Sequence, residues 1–232
     1  MLVDHRADLL LPTASVGKLF LLHHLAELID IDPSVGEATL RRDRVEPVGD
    51  SGIWQHLDVP ELNANDCARL IGTVSDNLAT NVLLDQVGLG AVQEVARRLA
   101  PRGSMLHDRV RDVRRPADPA RLSDGCAADW VDYFRAPHPR VLDWLATTVD
   151  TSMVSSAFSL DPLAHLGSTP RLASKTGTDT GTRAEVGLVD LHGRQVAFAV
   201  IAQFDGPVGP VLDRMSELGE MILSRSRGAA AD

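Results

Sequence analysis

Three short strings in this sequence combine side chains that could carry out nucleophilic catalysis. Ser15 and Lys18 form an S-x-x-K string, Ser75-Asp76-Asn77 reads S-D-N, and Lys175-Thr176-Gly177 reads K-T-G. From average residue usage, an S-x-x-K is expected about once in a chain of this size, whereas all three strings in this order have a chance on the order of one in a thousand. We therefore interpret them as parts of one site.

The residue types fit a serine nucleophile that is activated by a lysine base. A serine hydroxyl is a poor nucleophile at neutral pH and needs a neighbouring base. Lys18 follows Ser15 by one helical turn, so the two side chains share a helix face. A lysine accepts a proton only when it is neutral, which burial and a second nearby cation both favour. Lys175 could supply that second cation.

With these motifs the sequence resembles the class A β-lactamases and the penicillin-binding D,D-peptidases, for which this motif set is known. Ser75 follows Ser15 by 60 positions and Lys175 follows Ser75 by 100 positions, both close to the spacing of that family. The resemblance extends from about residue 4 to the last helical segment. It implies a β-lactamase/transpeptidase-like fold and an acyl-enzyme on Ser15.

The resemblance also implies roles for individual residues. Ser75 would relay a proton to the leaving nitrogen, and Asn77 would hold the amide side chain of the substrate. Backbone N–H groups of Ser15 and Thr178 would form the oxyanion hole. Further substrate contacts are expected from Thr176, Gly177, Thr178, Arg183 and Trp54. Arg183 is one residue closer to Lys175 in the sequence than the family pattern leads us to expect. Trp54 could lie at the rim of the active site, or it could anchor the core.

The loop after the S-D-N string departs from the family at one position. In class A β-lactamases a glutamate on this loop activates the water that hydrolyses the acyl-enzyme. Here Asp108-Arg109 matches the family's aspartate-arginine pair, and Arg111 occupies the glutamate position. Asp112 is the alternative base for deacylation, although its short side chain would need a shifted loop. The departure predicts acylation of Ser15 followed by slow hydrolysis.

The sequence leaves three functions open. The first is a β-lactamase-like serine hydrolase that opens a β-lactam or related amide through Ser15. The second is a D,D-peptidase that acts on peptidoglycan-like peptides. The absence of the glutamate favours this second function, whereas the compact spacing of the motifs favours the first. The third is a degenerate binding module without turnover. We expect no metal or other cofactor, because the histidines lack H-E-x-x-H spacing and Gly17-Lys18 lacks the flanking residues of a phosphate-binding loop.

Helical and strand patterns predict that an α+β fold positions the motifs. Apolar residues after Ser15 are too dense for an exposed helix, so this helix should be buried and hold Ser15 and Lys18 rigidly. Further helical patterns cover about 65–74, 79–87, 90–99, 125–134, 140–148 and 211–223. Strand patterns cover 172–175, 183–189 and 195–203, with a turn at 190–193. We predict an antiparallel sheet with flanking helices plus a mainly helical region.

The motifs divide the chain into two subdomains with the active site between them. We assign residues 1–13 and 168–232 to a discontinuous sheet subdomain and residues 14–167 to a helical subdomain. Only 14 residues precede Ser15, so we expect the family's first helix and first strand to be missing and residues 2–5 to form the second strand. A missing strand leaves a sheet edge that invites pairing with a second copy. An upstream start with an export signal is the alternative explanation.

Composition and charge narrow the range of possible binding partners. The 232 residues carry a formal net charge of −9, which argues against a nucleic-acid or anionic membrane surface. Arginines at 109–115 alternate with aspartates, so we expect a salt-bridged loop there. Two cysteines are too few for a disulfide scaffold, and no segment approaches the roughly 20 apolar residues of a membrane span. As written, the chain lacks an export signal, which predicts a cytoplasmic location, or an extracellular or periplasmic one if translation starts upstream.

Overall fold

The computed structural model describes residues 3–160, 171–191 and 193–228 of the chain. Its α-helices are α1 (Lys18–Ile31), α2 (Ser34–Glu37), α3 (Ala64–Val74), α4 (Asn77–Val87), α5 (Leu89–Leu99), α6 (Ala127–Arg135), α7 (Pro139–Leu145) and α8 (Gly209–Gly228). Short 3-10 helices cover Ala14–Gly17, Arg42–Arg44, Trp54–His56 and Val154–Phe158. The mainly helical region between the first and third motifs is thus present, as the apolar periodicity predicts.

The strands form three antiparallel sheets. They are β1 (Leu11–Pro12), β2 (Thr39–Arg41), β3 (Glu61–Asn63), β4 (Met105–Leu106), β5 (Ser123–Gly125), β6 (Leu172–Asp179), β7 (Thr182–Leu191) and β8 (Arg194–Gln203). The main sheet has the order β6-β7-β8, and two small sheets have the orders β1-β5-β4 and β2-β3. The α+β class with antiparallel sheets and flanking helices is confirmed.

Two apolar clusters cover the two faces of the main sheet. The larger cluster surrounds α1, in which Leu19, Phe20, Leu21 and Leu22 have no exposed surface. The ring centroid of Phe20 lies 4.9 Å from that of Trp130 on α6. The smaller cluster joins α8 and the 154–158 turn to the other face of the sheet. The dense apolar pattern after Ser15 therefore produces the buried helix that it predicts.

The hairpins of the main sheet follow the predicted strand pattern and extend it. β7 pairs with β8 from Thr182↔Gln203 to Leu191↔Arg194, which confirms the predicted antiparallel hairpin. His192, in the predicted turn, lies outside the described residues, as does the predicted subdomain boundary at 167–168. The predicted helix at 211–223 is longer in the structure, since α8 begins at Gly209.

The expected strand at residues 2–5 is wrong over its described part. Residues 3–5 belong to no strand, and the chain turns immediately afterwards, where Arg6 has a φ of 50° and Leu9 donates its N–H to the carbonyl of Arg6. The first strand of the described chain is β1, which pairs with β5 instead of the main sheet. Among the described strands, β8 lies at one end of the main sheet.

Candidate active site

A cleft beside β6 brings residues of all three motifs together. Its walls include Ser15, Ser75, Lys175, Thr176 and Thr178, and its enclosed part holds about 160 Å³. This volume is smaller than the roughly 300 Å³ of a drug-sized pocket. The cleft therefore encloses only part of a ligand of that size and leaves the rest at the surface.

Ser15 reaches the cleft from a tight turn in front of α1. It is half-buried in the 3-10 helix Ala14–Gly17, and the preceding Ala14 has a positive φ of 48°. A non-glycine residue rarely adopts this conformation, so the surrounding contacts must hold it. A Cβ on Gly17 would lie 2.4 Å from Cβ of Ser123, which explains the glycine by close packing. At the start of this helix, the N–H of Ser15 has no intrahelical acceptor.

Lys18 follows Ser15 by three positions, is the first residue of α1 and is fully buried. Its Nζ donates to the carbonyl O of Ser75 and to Oδ1 of Asn77, both at 2.7 Å, and to Oγ of Ser75 at 3.3 Å. Burial, and then the charge of Lys175, hold the pKa of Lys18 well below its usual value, although Asp76 and Asp50 oppose the shift. Burial and the neighbouring lysine therefore shift this amine toward its neutral form.

The S-D-N string forms the junction between α3 and α4. Ser75 ends α3 in the left-handed conformation, with φ 58° and ψ 33°. Buried Asp76 caps α4 through a bond from the N–H of Ala79, and its other oxygen accepts from the N–H groups of Ile53 and Trp54. Three backbone donors thus stabilise this carboxylate and fix the turn.

Asn77 is turned toward the protein interior. Its Oδ1 accepts from Lys18, and its Nδ2 donates to the carbonyl O of Gly49 at 3.0 Å. Its N–H donates to the carbonyl O of Ser51, which lines the cleft. The side chain is 5% exposed. These contacts indicate that Asn77 positions Lys18 and the 49–51 loop.

The K-T-G string lies on β6, and the edge of β6 that does not pair with β7 faces the cleft. Asp190 donates to the carbonyl O of Arg171, and this register directs the N–H and C=O of Thr176 and Thr178 away from β7. Nζ of Lys175 donates to the carbonyl O of Thr176 at 2.7 Å. A Cβ on Gly177 would lie 2.1 Å from the carbonyl O of Thr13, so only glycine allows β6 to pack this closely.

The second lysine is buried as deeply as the first. Lys175 is 2% exposed, and burial lowers its pKa to about 7, against an opposing effect of Asp150. At neutral pH its amine is therefore close to half-protonated. Lys18 and Lys175 are also the only two lysines among the 23 basic residues of the chain, the others being arginines. The presence of only two lysines, one in each of two motifs, is an additional sequence signal that these amines have special roles.

Four residues that the sequence suggested as substrate contacts do not line the described cleft: Asn77, Gly177, Trp54 and Arg183. Trp54 has no exposed surface, and its Nε1 donates to the carbonyl O of Val59. It is therefore a core anchor, which was one of its two interpretations. Arg183 donates to the carbonyl O of Asp179 and of Thr182, and its guanidinium lies 5.8 Å from the ring centroid of Phe204.

The sequence matches the profile of the beta-lactamase enzyme family over residues 2–224. The chain belongs to this beta-lactamase enzyme family. No curated protein matches it by sequence. Within the described residues, no helix is long and apolar enough to cross a membrane.

Solved structures share the fold of this family member at low identity. A β-lactamase from Sphaerobacter thermophilus is 24% identical with a TM-score of 0.77, covering 97% of this chain and 84% of that one. A class A β-lactamase from Mycobacterium abscessus is 18% identical with a TM-score of 0.72, over 97% and 88%. A mutant of PBP-A, solved as an acyl-enzyme complex with penicillin G, is 19% identical with a TM-score of 0.75, over 97% and 85%.

The loop that follows the S-D-N string in this family member is held by ion pairs. Arg111 binds buried Asp108 at 2.7 Å and lies 3.3 Å from Asp118, and Arg114 also binds Asp108 at 2.7 Å. Burial opposes ionisation of Asp108, but the bonds from Arg111 and Arg114 hold its pKa below the usual value. The predicted salt-bridged loop is confirmed.

Asp112 uses its carboxylate to hold the neighbouring loop. Both of its oxygens accept from the N–H of Gly49, at 3.0 and 3.1 Å. It does not line the described cleft, whose lining includes one acidic residue, Asp150. The arrangement thus connects Asp112 to the 49–51 loop and, through Gly49, to Asn77.

Several residues that shape the cleft or its neighbouring loops lie outside the three motifs. Asn81 bonds both the N–H and the C=O of Val110 and so fixes the salt-bridged loop to α4. Ser51 and residues 148–150 form parts of the cleft wall. Val149 is connected by its N–H to the carbonyl O of Thr73 on α3. These residues lie outside recognisable strings and become neighbours only through tertiary packing.

Proposed function

We propose that this cleft is a serine acylation site that opens β-lactams or related amides and forms an acyl-enzyme on Ser15. The main observation behind this proposal concerns Lys18. Its amine is fully buried, it follows Ser15 by one helical turn, and its pKa is held well below the usual value. A neutral buried amine is the base that a serine nucleophile needs. The three motifs around the cleft support the same assignment.

In the proposed reaction Ser15 attacks the carbonyl carbon while Lys18 accepts the hydroxyl proton. The proton then passes through Ser75, whose Oγ lies 3.3 Å from Nζ of Lys18, to the leaving nitrogen as its bond to the carbonyl carbon breaks. In the structure the hydrogen bonds of Lys18 go to Ser75 and Asn77. Attack by Ser15 therefore requires one of these contacts to loosen.

The developing oxyanion would lie between the backbone N–H groups of Ser15 and Thr178. The first is a free donor at a helix start, and the second points away from β7 on the cleft side of β6. Such donors each contribute about 3 kcal/mol to acyl transfer. Lys175, Thr176 and Thr178 would bind a substrate carboxylate, and Gly177 would allow close approach of β6.

Hydrolysis of the acyl-enzyme is proposed to be slow. Arg111, at the position of the family's glutamate, is bound to Asp108, and Asp112 is bound to Gly49. Neither residue offers a free carboxylate to a water in the cleft. This observation favours the D,D-peptidase alternative, in which penicillins form persistent adducts, and it equally fits a β-lactamase-like enzyme with poor turnover.

Intact-mass measurement over time after adding a penicillin tests the proposal. We expect an adduct on the wild type that decays slowly and none on Ser15→Ala. A rapidly decaying adduct would instead indicate efficient β-lactam hydrolysis. Folded wild-type protein that forms no adduct and produces no hydrolysed penicillin would overturn the acylation proposal and leave a binding module. Asp112→Asn should leave the adduct lifetime unchanged, and a longer lifetime would identify Asp112 as the deacylating base.

A further inference from the structure

A buried serine outside the three motifs contacts the turn that carries the nucleophile. Ser123 is the first residue of β5 and has no exposed surface. Its Oγ donates to the carbonyl O of Ala14 at 2.6 Å. Ala14 immediately precedes Ser15 and is the residue with the positive φ of 48°. The hydroxyl of Ser123 thus binds the peptide group that joins Ala14 to Ser15.

This bond determines the direction of the backbone N–H of Ser15. A peptide group is planar and trans, so the carbonyl of Ala14 and the N–H of Ser15 point in opposite directions. Because the carbonyl points toward Ser123, the N–H points away from it. At the start of the 3-10 helix this N–H has no intrahelical acceptor. A hydrogen bond to the carbonyl also polarises the peptide group, which strengthens its N–H as a donor.

The hydrogen bonds around Ser123 have one consistent direction. A hydroxyl group has a single proton, and Ser123 gives its proton to the carbonyl of Ala14. Oγ1 of Thr13 lies 2.8 Å from Oγ of Ser123, so Thr13 is the donor in that pair. Thr13 also donates its backbone N–H to the carbonyl O of Ser123 at 3.1 Å. Neither side chain has exposed surface, so bulk water does not compete for these bonds.

Close packing holds this pair of residues on two sides. A Cβ on Gly17 would lie 2.4 Å from Cβ of Ser123, so the nucleophile turn packs directly against Ser123. A Cβ on Gly177 would lie 2.1 Å from the carbonyl O of Thr13, so β6 packs against Thr13 one residue before Thr178. Ser123 and Thr13 therefore contact both backbone segments that carry the proposed oxyanion-hole donors.

We propose that Ser123 is a positioning residue for the oxyanion hole, which holds the peptide group between Ala14 and Ser15 so that its N–H faces the developing oxyanion. The inference rests on the proposed acylation of Ser15. Ser123 itself does not touch the substrate. Without its hydroxyl, the carbonyl of Ala14 loses its donor, and the peptide group can rotate. A rare backbone conformation such as that of Ala14 persists only where neighbouring contacts hold it.

The first test is the rate of acylation by a penicillin as a function of its concentration. In Ser123→Ala we expect the maximal rate to fall by about tenfold to a hundredfold and the half-saturating concentration to stay unchanged, because the lost interaction acts in the transition state. The pH profile should keep its midpoint, since Lys18 keeps its contacts. Ser104→Ala is the matched control. It removes another fully buried hydroxyl, which donates to Asp129 at 2.8 Å, and should acylate at the wild-type rate.

The second test is the carbonyl stretching frequency of the acyl-enzyme, measured by infrared difference spectroscopy with a penicillin labelled at its reacting carbonyl. Hydrogen bonds from the oxyanion hole lower this frequency. We therefore expect a higher frequency in Ser123→Ala and the wild-type frequency in Ser104→Ala. Ser123→Cys keeps a weak donor and should give an intermediate value. It also serves as the deciding variant if Ser123→Ala does not fold.

The outcomes separate this inference from the proposed function on which it rests. Wild-type rate and carbonyl frequency in a folded Ser123→Ala or Ser123→Cys protein would overturn the role of Ser123 and leave the acylation of Ser15 standing. A displaced pH midpoint would also overturn it, because the base would then be disturbed. Wild-type protein that neither forms an adduct nor hydrolyses the penicillin would overturn the proposed function itself.

Discussion

Nζ of Lys18 lies 2.7 Å from Oδ1 of Asn77, a contact between two buried residues 59 positions apart. The bond connects the first motif to the second without adding a negative charge beside the amine. An amide oxygen can hold a neutral or charged amine, whereas a carboxylate would favour the charged form. The contact therefore keeps Lys18 in place and available as a base.

Changing Asn77 to aspartate should raise the pKa of Lys18 and move its proton-accepting range to higher pH. The new carboxylate favours the ammonium form, and we expect the rising limb of the acylation profile to shift upward by about 1 to 3 pH units. Acylation rates from pH-dependent mass measurements give the profile. Asn81→Asp is the matched control, because Asn81 bonds Val110 and not Lys18. An unshifted profile in Asn77→Asp would contradict the role of this contact.

Replacing Lys18 by methionine should slow acylation strongly while the protein stays folded. Methionine has a similar length but no amine, so Ser15 loses its base and the rate should fall by about 10²-fold to 10⁴-fold. The melting temperature should be equal or higher, because a buried amine is replaced by an apolar group. Mass measurement and thermal unfolding test the two statements. Acylation of Lys18→Met at the wild-type rate would reject Lys18 as the base.

Lys175 should titrate near neutrality, and the lysine count of the chain makes this directly measurable. Lys18 and Lys175 are the only lysines, so selective isotope labelling gives two side-chain amine signals in NMR, and Lys18→Met assigns them. We expect the Lys175 signal to titrate with a pKa of about 7. Weaker binding of carboxylate ligands above this pH should accompany the loss of its charge. A normal lysine titration would contradict the burial described for β6.

The lowered pKa of Lys175 also determines whether the stability of the folded protein rises or falls with pH. In the unfolded chain Lys175 keeps its proton up to its ordinary pKa of 10.5, whereas in the folded protein it loses the proton at about 7. Between these values the unfolded state binds more protons, so this group makes the folded state more stable as pH rises, by at most about 1.4 kcal/mol per pH unit. Lys175→Met should remove this contribution when unfolding is measured in denaturant above pH 7.

Glu185 should destabilise the protein at neutral pH. It is fully buried on β7 and bonded to the N–H of Ser155, and burial raises its pKa. Because the unfolded carboxyl ionises at lower pH than the folded one, this destabilisation is smallest in acid and increases as pH rises. Glu185→Gln should therefore raise the melting temperature near about pH 8 and change it little near about pH 4. The exposed Glu220→Gln is the control, and equal effects for both variants would contradict the prediction.

Much of the fold follows from local patterns. The apolar run after Ser15 predicts a buried helix, and the β-branched alternation at 183–189 and 195–203 predicts a hairpin, because side-chain periodicity is a property of neighbouring residues. The strand expected at residues 2–5 fails for the same reason. A short apolar stretch does not specify a partner, and in the structure the chain turns at Arg6.

The sequence by itself supplied the candidate chemistry: the three strings, their order and, by the resemblance to class A β-lactamases, an arginine at position 111 where that family has a glutamate. Tertiary structure decided what those residues touch. It turned Asn77 toward Lys18, buried Trp54, bound Asp112 to Gly49 and paired β1 with β5. The physical reason is that a pKa, a hydrogen bond or a strand pairing depends on groups that are distant in sequence, and only packing brings those groups together.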